Sequence, residues 1–210
     1  MKIALLYSGL TQKFNRQVFD NHKKFILDGY EYDIYLSTWL DESNQYALGV
    51  LNPVVCSIEN FSKISDSKFI DVHKRIMYKY PETNTENTIA MFYKIENCFN
   101  LVAQDDYDLI IRCRLDIEFD QKISLQNNDC VNIPFKGDYR GGINDLFGYG
   151  NYKNMRAYCT TYSRICSYLT NGICCHPETL LRHSLNEQGL CINRFENNLY
   201  LRGQLLTRYF

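Results

Sequence analysis

Four charged side chains crowd one short apolar stretch, Tyr107-Asp-Leu-Ile-Ile-Arg-Cys-Arg-Leu-Asp-Ile-Glu-Phe119. Read as one strand, it spaces Arg112, Arg114, Asp116 and Glu118 two residues apart, so all four share a face. Two guanidiniums beside two carboxylates cost free energy to bury unless they hold a charged ligand or one another. Mg²⁺ or Mn²⁺ on Asp116, with Glu118 second, would suit the acidic half. A diphosphate on the forks of Arg112 and Arg114 would suit the basic half. Fixed cations there also stabilise the charge that builds on a departing nucleoside diphosphate. The competing reading is a salt-bridge ladder along a half-exposed strand.

Two further groups of residues carry chemistry. Tyr7-Ser8-Gly9 ends the apolar run from Lys2, and a Ser-Gly turn there lets a nucleotide approach the backbone. Tyr7, Ser8 and Gly9 are therefore nucleoside-pocket candidates, joined by Thr38 at the end of the second apolar strand. The three-glycine dinucleotide fingerprint and the Walker A loop are both missing. Downstream, Asp145 follows Gly141-Gly142-Ile143-Asn144, and Glu178 follows His176-Pro177 at a helix start. Either carboxylate is a candidate general base for an acceptor alcohol. The plain alternatives are a turn cap for Asp145 and a helix-dipole contact for Glu178. His176 and His183 are a third metal ligand, hydrogen-bonding groups or simply polar surface residues.

The elements that must position these residues alternate between strand and helix. Strands are expected over Lys2–Ser8, Tyr32–Thr38, Val54–Ile58 (weaker), 107–119, Val131–Pro134 and Asp145–Gly150. Leu190–Phe195 and Leu199–Arg202 close the series. Helical spacing of apolar residues spans Asn15–Leu27, Asn87–Val102, Asn151–Leu169 and Pro177–Leu185. Asp66–Tyr80 is a further helix or a loop, and residues 81–86 are a turn-rich break. The charged stretch follows a helix, so its far end lies where open α/β sheets place ligands. No internal repeat or linker divides the chain, and one α/β domain is expected.

Bulk composition narrows the partners. With 210 residues and 45% hydrophobic, the chain can build one packed core. A formal net charge of −1 gives no general attraction to nucleic acid or anionic membrane, so any anion site is local. No apolar run reaches the length of a membrane span. The nine cysteines lack any C-x-x-C pair, Cys174 and Cys175 are adjacent, and no small-residue cleavage site follows Ile3–Tyr7. Reduced, mostly buried thiols in a cytoplasmic setting are the expectation.

The order of parts resembles the nucleotide-sugar glycosyltransferases of the GT-A fold. An opening strand ends in a turn at Tyr7-Ser8-Gly9, a middle strand delivers a short acidic motif, and later segments bring Asp145 and Glu178. The family's Asp-any-Asp motif aligns with Arg114-Leu115-Asp116, so Asp116 is retained and Arg114 replaces the first acid. The outward register Asp116-Ile117-Glu118 keeps two acids. The wording around Arg112–Asp116, Asn144–Gly148 and Pro177-Glu178 is similar to small bacterial and large-DNA-virus transferases of surface glycans, the chlorella-virus type in particular. The resemblance implies a GT-A-like, Rossmann-related domain with a mostly parallel mixed sheet flanked by helices. Residues 1–120 would form its nucleotide-sugar half and residues 121–210 its acceptor half. It implies a donor of the uridine diphosphate class, a glycan acceptor, and Mn²⁺ or Mg²⁺ on Asp116. A sugar nucleotidyltransferase and a catalytically silent glycan-binding module of the same fold are the alternatives.

Overall fold

Ile3, Ala4, Leu5, Leu6 and Tyr7 are all buried, and a run with no polar face belongs in the middle of a sheet. In the computed structural model, which describes residues 1–61, 84–103, 106–201 and the backbone of 204–205, that run is β1 (Lys2–Gly9). β1 is flanked in parallel by β2 (Glu31–Trp39) and β4 (Leu109–Cys113), and β3 (Val55–Glu59) extends the β2 edge. Beyond β4 come β7 (Phe147–Gly150) and β6 (Val131–Pro134), both in antiparallel pairings, and then β8 (Ile192–Phe195) parallel to β6. The seven-stranded order is β3-β2-β1-β4-β7-β6-β8. A three-stranded antiparallel sheet joins β5 (Ile117–Phe119), β9 (Leu199–Leu201) and β10 (Gln204–Leu205).

Helices cover both faces of the larger sheet. α1 (Arg16–His22) is capped by Asn15, whose side chain accepts from Val18 N, and runs on as one wide turn over Lys23–Leu27. α2 (Asn44–Leu51) was not evident from the sequence pattern. The other face carries α3 (Thr85–Phe99), capped by Asn84, then α4 (Tyr152–Cys159), α5 (Tyr162–Thr170) and α6 (Pro177–Glu187). Phe92, Ile95, Phe99, Met155, Tyr158 and Leu181 build one core layer, and Val18, Phe19, Ile26, Leu36 and Ile111 build the other. No helix among the described residues is long and apolar enough to cross a membrane.

Three expectations change. The stretch 107–119 is not one strand: β4 ends at Cys113, a turn covers Leu115 and Asp116, and β5 restarts in the second sheet. The two-residue period cannot carry a shared face across that turn. The helix expected over Asn151–Leu169 is two helices with a break at Thr160-Thr161. The reduced-thiol expectation fails at Cys130 and Cys191, which form a disulfide with Cα atoms 4.6 Å apart. Parallel pairing of Val131 with Ile192 aligns them across a sequence separation of 61. Of the free cysteines, Cys98, Cys113, Cys159 and Cys175 are buried, Cys166 and Cys174 are partly covered, and Cys56 is exposed. The expected helix Asp66–Tyr80, the break at residues 81–83, Gln104-Asp105 and Arg202 lie outside the described residues.

Candidate functional site

The site is built where β4 leaves the sheet. β7 runs back along β4 with Arg112 opposite Gly148 and Cys113 opposite Phe147. One step further Arg114 N donates to Leu146 O at 3.1 Å, which draws Asp145 alongside the turn that carries Arg114 and Asp116. Arg112 itself is 1% exposed. Its Nη1 donates to the Asp145 carbonyl oxygen, and the Tyr158 hydroxyl donates to the same oxygen at 3.2 Å. Gly148 makes room for that ring, because a Cβ there would lie 2.8 Å from a Tyr158 ring carbon. Arg112 therefore braces the backbone of Asp145 from below. This corrects the expectation that it faces an incoming phosphate.

Arg114 and Asp116 form a paired fork. Arg114 Nε donates to Asp116 Oδ1 and Nη2 to Oδ2, both at 2.8 Å, with side-chain exposures of 33% and 14%. Burial alone would push Asp116 up, but the Arg114 hydrogen bonds and charge, with Lys13 adding, hold it below the usual carboxylate range. Burial likewise works against the Arg114 charge. Asp116 outweighs it, Asp145 and Glu178 contribute, and the guanidinium is held more firmly protonated. Arg114 thus lies within electrostatic reach of all three acids. Glu118 sits apart from this turn, on β5 opposite Tyr200.

Asp145 is 3% exposed, and burial, then the Glu178 charge, push its carboxyl up against the opposing pull of Arg112 and Arg114. Its loop is organised by Asn144, which donates from Nδ2 to Lys136 O at 2.7 Å and accepts from Leu146 N at 2.8 Å. Asp138 accepts from Asn144 N at 2.8 Å and from Arg194 on β8 at 2.9 and 3.0 Å. Glu178 arrives from the other side, in the first turn of α6, where Pro177 starts the helix without sacrificing a bonded N–H. Ile143 N donates to Glu178 O at 3.0 Å, and Gly142 packs directly against the Glu178–Thr179 backbone. His176 Nδ1 stands 2.7 Å from Glu178 Oε2, and its ring stacks on Tyr139. His183 instead packs edge-on against Tyr168.

At the ends of β1 and β2 the expected nucleoside residues divide. Tyr7 is fully buried on the α1 side, where its hydroxyl meets His22 Nδ1 at 2.6 Å, so it faces the core rather than a ligand. Ser8 is 7% exposed, its Oγ has no partner among the described residues, and Gly9 turns the chain with φ +111°. Thr38 is buried and donates to Trp39 O at 3.1 Å. Asp41 and Asn44 tie the two loops together: Thr11 Oγ1 donates to Asp41 at 2.9 Å, and Asn44 Nδ2 to Thr11 and to Trp39 O. The roles of Asn44, Asn144 and Tyr158 in holding these loops carry no sequence signal, because an uncharged side chain bonded to backbone leaves no spacing pattern.

The donor set does not fit a divalent ion as arranged. Mg²⁺ and Mn²⁺ gather several oxygen ligands around one point, whereas Asp116 is held in an ion pair, each of its oxygens accepting once from Arg114. No three acids, histidines or cysteines converge into a cage among the described residues. A surface groove of about 470 Å³ lined by Asp20, Lys23, Lys24 and Asp28 lies elsewhere, where α1 returns toward the start of β2.

No protein-family model matches the chain, and no curated protein sequence matches it. Among solved structures, mouse xyloside xylosyltransferase 1 in its apo form aligns with 93% of this chain and 85% of its own, at 10% identity and a TM-score of 0.48.

Proposed function

We propose that the chain is a glycosyltransferase that moves a sugar from a nucleoside diphosphate donor, uridine diphosphate being the first to test, to a glycan hydroxyl. The observation that carries this is that Arg114, paired with Asp116, lies within electrostatic reach of Asp145 and Glu178 at the exit of β4, so that three separate segments of chain bring charge to one place. Ser8, Gly9 and Thr38 at the ends of β1 and β2 are the proposed nucleoside side. Arg114 is the proposed partner of the diphosphate, and Asp145 or Glu178 the base.

In the reaction the acceptor hydroxyl gives its proton to the carboxylate while its oxygen bonds the anomeric carbon. The pair of the broken C–O bond stays on the diphosphate oxygen, where Arg114 stabilises the added charge. Asp145 suits the proton-accepting role, since its raised pKa brings its basicity nearer to the working pH. No step is routed through a metal ion.

The test is nucleotide release from a panel of uridine diphosphate sugars with candidate oligosaccharide acceptors. Release is expected from at least one donor and should fall by about 10²–10⁴-fold in Asp145→Asn or Glu178→Gln, whichever is the base. Pyrophosphate formed from a nucleoside triphosphate and a sugar phosphate would replace this reading with a nucleotidyltransferase. No release and no nucleotide binding would leave a silent glycan-binding module.

A further inference from the structure

The Arg114–Asp116 fork bears on how the diphosphate is neutralised, and the argument rests on the donor-sugar reading above. A guanidinium has five N–H donors. Asp116 takes two of them, one from Nε and one from Nη2 on the side edge of the fork. The end edge, Nη1 and the second Nη2 hydrogen, makes no hydrogen bond among the described residues, and the side chain keeps 33% of its exposure. That edge presents a parallel pair of donors, the geometry that binds phosphate oxygens two at a time. The side-edge bond to Asp116 fixes its direction.

A cation on Asp116 would undo this arrangement. It would have to share the carboxylate that Arg114 holds and would place a double positive charge beside that guanidinium. Keeping the ion pair leaves Asp116 as the strut and Arg114 as the fixed positive charge, with Lys13 adding to the field at Asp116. We propose that Asp116 is the positioning residue of Arg114 rather than a metal ligand, and that the donor's diphosphate binds Arg114 without a divalent cation.

The experiment is calorimetric titration of the full chain with uridine diphosphate in EDTA, in Mg²⁺ and in Mn²⁺, repeated for Arg114→Gln and Asp116→Asn. The expected result is the same affinity in all three buffers for the unaltered chain. Arg114→Gln should weaken it about tenfold or more, the size of losing charge-assisted hydrogen bonds. Asp116→Asn should weaken it less, and equally with and without metal. Binding that requires Mg²⁺ or Mn²⁺, with the metal effect abolished in Asp116→Asn, would overturn the inference while leaving the donor-sugar reading standing. Absence of binding in every buffer by a chain that still melts cooperatively would overturn that reading itself. The buffer comparison needs no variant, so it survives misfolding of either one.

Discussion

Gly142→Ala tests whether the loop before Asp145 is seated on the start of α6. A Cβ at position 142 would lie 2.2 Å from the Glu178 carbonyl carbon, 2.4 Å from Thr179 N and 2.5 Å from Glu178 Cβ. Carbon contacts settle near 3.5–4.0 Å, roughly 1 Å or more beyond each of these. Two of the three obstructing atoms are backbone, so no rotamer change relieves the overlap. The loop is also tied down by Ile143 N to Glu178 O and by Arg182 Nη1 to Gly141 O at 2.9 Å. Separation therefore costs those bonds as well as the packing. Overpacking of this kind costs about 1–3 kcal/mol, and at roughly 2–4 °C per kcal/mol for a chain of this size the melting midpoint should fall by about 2–12 °C. Movement of Glu178 by about 1 Å relative to Asp145 should also lower turnover about 10²-fold. The assay is a thermal melt beside donor turnover, with Gly49→Ala as control. That glycine lies in α2 with nothing within 4 Å of the added Cβ, and the change should be neutral or stabilising by up to about 1 kcal/mol. A Gly142→Ala chain that melts with the unaltered one would show that the close approach does not exist.

Burial lowers His22 from 6.5 to about 4, so between those values the unfolded chain binds a proton that the folded one refuses. Stability present above pH 6.5 should fall by about 3 kcal/mol as the pH drops to 4. Denaturant titrations at pH 7, 5.5 and 4 should show a shallower fall in His22→Gln, and equal slopes would refute the assignment. Opening the Cys130–Cys191 link, across a sequence separation of 61, should cost about 4 kcal/mol by loop entropy. Melts with and without reductant, beside the double serine variant, read this directly, and coincident curves would count against the bond. Arg112 lowers the Asp145 pKa, so Arg112→Met should move the acid limb of the pH–rate profile upward. A drop in rate with an unmoved limb would reduce Arg112 to a purely structural brace.

Element positions were legible wherever one face had a single environment. β6 is buried throughout and β1 in all but its end residues, α3 shows one apolar stripe, and Pro177 marks the α6 start. The breaks were not legible, because the apolar alternation through Leu115, Ile117 and Phe119 reads the same whether one sheet receives them or two. Met155, Tyr158, Tyr162, Ile165 and Leu169 likewise keep helical spacing across the Thr160-Thr161 break. At the site, the expected face of Arg112, Arg114, Asp116 and Glu118 keeps only the Arg114–Asp116 pair, which meets Asp145 and Glu178 electrostatically instead. Direction was beyond the reach of residue type. Tyr7 and Arg112 point into the layers around the sheet, since strand parity does not say which face will be open.

The charges at the exit of β4 are also graded by depth, and that grading bears on catalysis. Arg112 and Asp145 are innermost, Arg114 and Asp116 are half-covered, and Lys13 is exposed. Three cations there oppose the three carboxylates of Asp116, Asp145 and Glu178, so the resting cluster is neutral when all are ionised. Asp145 is the acid whose pKa burial and Glu178 both raise. As the base of the proposed transfer it starts ionised, and the acceptor's proton would then raise the net charge of the cluster by one as negative charge builds on the leaving diphosphate. The innermost pair thereby keeps the buried charge balanced through the step, which a fixed cation alone would not do.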